Sequence, residues 1–388
     1  MKKWTKLVNF DDWLDDPYHS ASMPIYQTAT FVGHSINDMG KYHYTRSGNP
    51  TRTVVEKQIA TLENGKHAFA FSSGMAAINA LTGLLKPGEH IIAANDIYGG
   101  TYRLLTQRLE EHYNIGVSFV DITNLKEIEN AFSATTKMLI LETPSNPLQK
   151  IANLKLIAAI THKHKALFAV DNSFMSPWLQ QPLEFGADIV VHSATKFLSG
   201  HSDATGGFLI VNKDGLAQKI AFIQNAEGAA LAPFECWLIS RGIKTLGLRI
   251  ERQQSNAHKV LEHLQTEPLI TQLYYPSLLE DASFKLHTKQ TSGYGSIICI
   301  ATGNSKLSEI IANTTKLFKL MVSFGSIHSS ISIPTYMSHL AIPSTKQTMP
   351  SDLIRLSIGI EDPEDLIADL KQAFKNAQKQ VKSASKVK

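Results

Sequence analysis

The chain has 388 residues, 43% hydrophobic and 19% charged, a balance that supports packed cores and excludes a mainly disordered or collagen-like polymer. Its net charge of +4 belongs to one end: residues 371–388 hold six lysines and no acids, leaving a near-neutral body with no sign of a nucleic-acid surface. No run reaches the ~18 apolar residues of a membrane span, and Asp11, Asp12, Asp15 and Asp16 stand where a signal peptide would be apolar, so a cytoplasmic protein off the membrane is expected.

Residues 1–46 lack strong periodicity and are punctuated by Pro17, Pro24, Gly33 and Gly40, which predicts an extended arm with room for one short helix. Short apolar runs then recur at 67–71, 90–94, 117–121, 138–142, 166–171, 188–192 and 207–211. Helix-like stretches at 75–85, 99–113, 124–134 and 153–165 separate most of them. Strand alternating with helix predicts an α/β fold with a mostly parallel central sheet. Helices are expected at 215–230 and 243–265, and strands of a smaller α+β unit at 295–301, 320–324 and 353–359. A last helix is expected over about 362–382, opened by Asp362, Pro363 and Glu364. The expected domains are an arm over 1–46, an α/β domain over 47–237 and a C-terminal α+β domain over 238–388. Cys236 and Cys299 lie among apolar residues without metal or redox spacing and read as core.

Open parallel sheets bind ligands beyond the carboxyl ends of their strands. Three features fall there. The run 67–71 leads through Ser72-Ser73-Gly74-Met75 straight into a helix, either a simple serine cap or a cradle of free N–H groups for an anion. The run 166–170 ends in Asp171, a local cap or a carboxylate awaiting a positive partner. The run 188–192 leads to Ser193-Ala194-Thr195-Lys196, whose lysine is either exposed or a Schiff-base lysine. Together an anion cradle, a strand-end acid and a strand-end lysine meet the demands of pyridoxal phosphate.

The segments "YTRSGNPTR" (44–52), "FSSGMAAI" (71–78), "DIYGGTYR" (96–103), "ETPSNP" (142–147) and "RLSIGIED" (355–362), with the long stretch 171–203, carry a resemblance over about residues 17–376. The sequence resembles the Cys/Met-metabolism group of pyridoxal-phosphate enzymes, which have the fold type I, aminotransferase-like architecture. The resemblance implies a pyridoxal 5'-phosphate held covalently on Lys196, with Asp171 against its pyridine nitrogen and Tyr98 stacked on its ring. Backbone at Gly74 and Met75, with the hydroxyls of Ser193 and Thr195, would hold the phosphate, and Asn146 would lie near the phenolic oxygen. Tyr44 and Arg46 match residues that reach a neighbouring subunit's phosphate, which implies a homo-oligomer with shared sites, a tetramer. Arg355 would clamp the substrate α-carboxylate beside Ser323, a bidentate task suited to guanidinium.

Members of this family act at Cβ or at Cγ of their substrates, and fold does not separate them. γ-Acting members commonly carry a glutamate before the serine that Ser323 matches; here Val322 stands there, followed by Phe324 and Gly325. That form is similar to plant-type and related bacterial β-acting lyases. It implies α,β-elimination of L-cystathionine to homocysteine, pyruvate and ammonia, in methionine biosynthesis, with γ-lyase or γ-synthase chemistry as the alternative. Other patterns are weak. Ser193 to Lys196 satisfies S-x-x-K, but the S-D-N and K-T-G companions are missing. Gly293-Tyr294-Gly295 lacks its third glycine, and His162 with His164 lacks further metal ligands at a recognisable spacing.

Overall fold

The computed structural model describes residues 1–9, 16–343, 345 and 347–385, so Asp11, Asp12, Asp15, Lys386 and Lys388 lie outside the described residues. A short helix, Lys3–Val8, lies at the start of the chain, and irregular backbone over residues 16–49 leads into the helix Pro50–Leu62. That helix was not expected from periodicity. Its start is nonetheless written locally: Asn49 accepts a hydrogen bond from the Thr51 N–H, and Pro50, with no N–H to satisfy, takes the first turn.

Seven strands form the central sheet: β1 (His67–Phe71), β2 (His90–Ala94), β3 (Gly116–Val120), β4 (Thr136–Glu142), β5 (Leu167–Asp171), β6 (Ile189–Ser193) and β7 (Gly207–Val211). Their order is β1-β7-β6-β5-β4-β2-β3. The pairings from β6 through β5, β4 and β2 to β3 are parallel, while β7 runs antiparallel to both β6 and β1. Two reversals in succession bring the carboxyl end of β1 back to the same edge as those of β2, β4, β5 and β6. The strands read as near-continuous apolar runs because helices cover both faces; Phe168, Ala169 and Val170 of β5 are fully buried.

The expected helix over 99–113 is present with a π-helical middle, Leu104–Glu110. Helix Pro233–Ile243 precedes helix Leu246–Leu264, so the single helix expected over 243–265 begins three residues later than predicted. The second sheet comprises β8 (Gln272–Tyr274), β9 (Ile297–Ala301), β10 (Lys319–Leu320), β11 (Ser330–Ser332) and β12 (Ile354–Ser357), ordered β10-β11-β12-β9-β8. Its own apolar cluster packs Ile298, Ile300, Ile331, Ile354 and Leu356 against the last helix, Pro363–Ser385.

The strand predicted over 320–324 is a correction: only Lys319–Leu320 pairs. Ser323 has φ 83° and Gly325 φ 80°, left-handed values that no strand can carry. The chain leaves the sheet there and turns toward the first sheet's carboxyl edge. Cys236 and Cys299 are fully buried, as expected, and burial pushes the Cys299 thiol up to about 12.

Candidate active site

A cavity of about 170 Å³ opens at the carboxyl edge of the first sheet. Its floor is built from strand ends. β4 contributes Glu142, β5 contributes Asp171 and β6 contributes Ser193, with Thr195 and Lys196 on the turn that follows. The helix Gly74–Thr82 points its N-terminus at this floor. Ser73 caps it by accepting a hydrogen bond from the Ala76 N–H, which leaves the first-turn N–H groups of Gly74 and Met75 without helical partners. Position 74 has to be glycine: a Cβ there would stand 2.8 Å from the Ser193 Cβ. Beside it the Ser193 N–H donates to Ser173 Oγ at 2.6 Å, and the Ser173 N–H donates to Asp171 at 2.9 Å.

The opposite wall comes from the second sheet and from the segment that abandons it. Lys196 Nζ donates to Ser323 Oγ at 2.5 Å. Arg355, on β12 and 2% exposed, donates through Nη1 to Asn146 Oδ1 at 2.9 Å and through Nη2 to the Ser323 carbonyl at 3.1 Å. Phe324 lies between the two cations, with Lys196 Nζ 5.0 Å and the Arg355 guanidinium 5.2 Å from its ring centroid. Each contact is favourable because the ring face is electron-rich. Phe174 and Phe197 pack against Phe324 at 5.5 and 5.9 Å. Gly325 follows, and a Cβ there would meet the Phe197 N at 2.8 Å.

Tyr98 caps the helix Gly99–Arg103 from the end of the β2 loop and is part-exposed at the cavity. Its ring meets the fully buried His339 edge-on, centroids 6.5 Å apart. His339 holds the Asn146 carbonyl at 3.1 Å through Nε2 and Ser338 Oγ at 2.9 Å through Nδ1. Burial, with the Arg355 charge adding to it, pushes the His339 imidazole down to about 4, so it is neutral at ordinary pH.

Desolvation governs the charges of the site. It lowers the half-buried Lys196 amine to about 8, helped by Arg355 and opposed by Asp171. It raises Asp171, whose anion is supported by hydrogen bonds from Ser173 and by the positive charge of Lys196. It raises Glu142 further, and Asp171 and Asp96 add like charge to the same effect. An amine poised near 8 beside a cation and an acid is the electrostatics of a working lysine rather than a surface one.

Ten of the residues singled out in the sequence meet here: Lys196, Tyr98, Gly74, Met75, Asn146, Asp171, Ser193 and Thr195 around the cavity, with Ser323 and Arg355 hydrogen-bonded to them. Tyr44 and Arg46 are not brought to it. The Arg46 guanidinium lies 5.1 Å over the Tyr44 ring and bonds Asn225, on a separate exposed surface. Sequence reasoning passed over Glu142, Ser173, Phe174 and His339. Glu142 had a legible signal, since it ends an apolar run as Asp171 does. His162 pairs with Asp188 at 2.8 Å and His164 stacks on Phe132 at 4.4 Å. No cluster of metal-ligating side chains occurs among the described residues.

Comparison with known proteins gives the same answer from a different direction. The model of the Cys/Met metabolism PLP-dependent enzyme family matches residues 4–375. The chloroplastic cystathionine beta-lyase of Arabidopsis thaliana is 48% identical over 96% of this chain and 80% of its own. The cystathionine beta-lyase of Lactococcus lactis subsp. cremoris is 42% identical over 95% of this chain and 98% of its own. A crystal structure of cystathionine gamma-lyase from Lactobacillus plantarum, complexed with L-serine, superposes with a TM-score of 0.95 at 41% identity, covering 97% of this chain and 100% of that one. The chain therefore belongs to the Cys/Met metabolism PLP-dependent enzymes, its architecture is that of fold type I, and pyridoxal 5'-phosphate is its cofactor.

Proposed function

We propose that this enzyme is a cystathionine β-lyase, cleaving the Cβ–S bond of L-cystathionine with one water to give homocysteine, pyruvate and ammonia. The observation that carries the reading is the chemistry at Ser323. Val322 before it is apolar and 57% exposed, and the carboxylates lining the cavity, Glu142 and Asp171, lie at its floor. A distal ammonium near Ser323 therefore meets no carboxylate at the position where γ-acting members commonly carry one. The β-lyase names of the Arabidopsis and Lactococcus relatives support it, and the Lactobacillus neighbour makes γ-elimination the second reading.

The residues present fit the cofactor. A helix N-terminus with two free N–H groups, flanked by Ser193 and Thr195, suits a phosphate dianion. Asp171 is buried and raised, a carboxylate that a positively charged ring nitrogen would stabilise. Lys196 would hold the aldehyde, and Asn146 and Tyr98 would stand at the ring. When bound, the cofactor supplies a sink for the electron pair left on Cα after deprotonation.

The chain's own groups then divide the work. Arg355 has its fork fixed by Asn146 and Ser323, ready for an α-carboxylate in bidentate contact. Lys196 would move the Cα proton, and its lowered basicity leaves much of it neutral near pH 8. Ser323 holds the Lys196 amine in the cavity. Lys196 or Tyr98 would give the departing sulfur its proton. Phe174 and Phe324 exclude water from this half of the cavity.

We also assign Tyr44 and Arg46 to the cofactor phosphate of a neighbouring copy, in a homo-oligomer of the arm, α/β and C-terminal domains set out above. Their exposure on an arm that also presents Val32 and Ile36, 98% and 96% exposed, supports that assignment. Incubation with L-cystathionine tests the main reading. Homocysteine is the expected thiol and should vanish in Lys196→Ala; cysteine as the thiol, or normal turnover by the variant, contradicts it.

A further inference from the structure

Two carboxylates stand at the cavity floor, and only Asp171 has a task in the reading above. Glu142 ends β4 and Asp171 ends β5, paired in register across neighbouring parallel strands. Such strands lie about 4.8 Å apart and turn in-register side chains to the same face. Both side chains reach the same cavity, and the residues are 7% and 9% exposed. On the other flank of β4, Asp96 follows β2, is 2% exposed and accepts the Ser145 hydroxyl.

Few cations answer these three acids. Lys150 bonds Asp121 at 2.9 Å. Lys196 is tied to Ser323, and Arg355 to Asn146 and Ser323. The buried His339 imidazole nearby is neutral, Tyr98 lines the same cavity, and His192 is bonded to the fully buried Glu63 at 2.5 Å. Among the described residues Glu142 makes no ion pair.

We propose that Glu142 is a positioning residue that stays a neutral acid and carries the one proton of a two-carboxylate set, leaving Asp171 as the anion that meets the cofactor's ring nitrogen. Two carboxylates at strand spacing in a water-poor cavity cannot both ionise cheaply, so they titrate as a pair. Which one keeps the proton follows from their surroundings. Asp171 receives the Ser173 N–H and faces the charge of Lys196, both favouring its anion. Glu142 is equally deeply buried and has the like charges of Asp171 and Asp96 on either side, opposed by backbone at Tyr98 and Asn146 and by the Arg355 charge, and its carboxyl is held well above the ordinary range. The floor therefore presents one negative charge to one protonated nitrogen.

The inference rests on the role given to Asp171, not on which bond of the substrate breaks, and its test uses no substrate. Infrared difference spectra of the holoenzyme near pH 7.5, wild type against Glu142→Gln, should show loss of a protonated-carboxyl band that shifts in deuterium oxide. Gln is a neutral donor of the same shape, so cofactor affinity should stay within about threefold of wild type. Loss of an ionised-carboxylate band, or a fall in affinity of about tenfold or more, would overturn the proposal and make Glu142 an anion that itself holds the cofactor. Should the Gln variant fold poorly, Glu142→Asp keeps the acid: its protonated band should move rather than disappear, and an unmoved band contradicts the assignment.

Discussion

Lys196 has to be a nucleophile, a base and an acid in turn, and its surroundings reconcile those demands through burial. An ordinary lysine near 10.5 would be almost wholly charged at neutral pH, whereas this amine is brought to about 8. The sign follows directly: below pH 8 the charged form dominates and cannot attack an aldehyde, and above it the neutral amine does. Covalent capture of pyridoxal phosphate by cofactor-free protein should therefore rise from pH 6, pass half its plateau near pH 8 and level off above about pH 9. Stopped-flow absorbance checks this. A rate still climbing toward pH 10 would mean an unperturbed lysine. Arg355 supplies part of the lowering, so Arg355→Met should move the midpoint upward. Lys196 and Asp171 were legible because each stands directly beyond a buried apolar run, and β-sheet geometry fixes where such residues point. The Arg355–Asn146 contact was not legible from local pattern: it joins residues 209 apart in sequence, and no periodicity encodes that distance.

At the scale of elements, the segment 321–325 decides what the site looks like. A strand continuing past Leu320 would have laid Ser323 and Phe324 along the second sheet. Instead the positive φ of Ser323 and Gly325 swings them beneath Lys196 and Arg355. A serine in that conformation costs on the order of 1–3 kcal/mol and persists only where its surroundings enforce it. Here Arg355 holds the carbonyl, and the Gly325 N–H donates to Ser357 Oγ at 2.9 Å. The sequence reading of a strand failed because V-S-F is β-prone by composition, and the hydrogen bonds that override it come from β12. Gly325 permits the second left-handed residue and a close pass over Phe197. Gly325→Ala should therefore destabilise the fold by about 2–4 kcal/mol and lower turnover by displacing Ser323, read as a fall in thermal midpoint alongside kcat. Unchanged stability and turnover would show that the backbone there has slack. The helix Pro50–Leu62 teaches the opposite lesson: Asn49, Pro50 and Thr51 spell a capped start that periodicity alone overlooks.

At the scale of the whole molecule, the two sheets meet so that one contributes strand ends and the other contributes Arg355 and the 321–325 turn. Neither sheet alone encloses the cavity. Tyr44 and Arg46 extend this logic beyond one chain, since each lies on an exposed surface away from its own site. If they serve a neighbour, two inactive variants should repair each other. Lys196→Ala and Arg46→Ala, unfolded together and refolded as a mixture, should regain activity in roughly a quarter of the sites of a symmetric dimer. Either variant refolded alone should not. Absence of recovery in the mixed assembly would place Arg46 outside any shared site. The alternation of strand and helix over residues 67–211 made the central sheet plain in the sequence. The reach proposed for Tyr44 and Arg46 left no trace in periodicity, since they sit on irregular backbone outside any strand or helix.

The most direct test of the account is the keto acid released from L-cystathionine by cofactor-loaded protein, identified by mass spectrometry. Pyruvate, formed with homocysteine, is the expected product and would support the weight placed on Val322 beside Ser323. 2-Oxobutyrate, formed with cysteine, would establish γ-elimination and contradict the reading of this cavity.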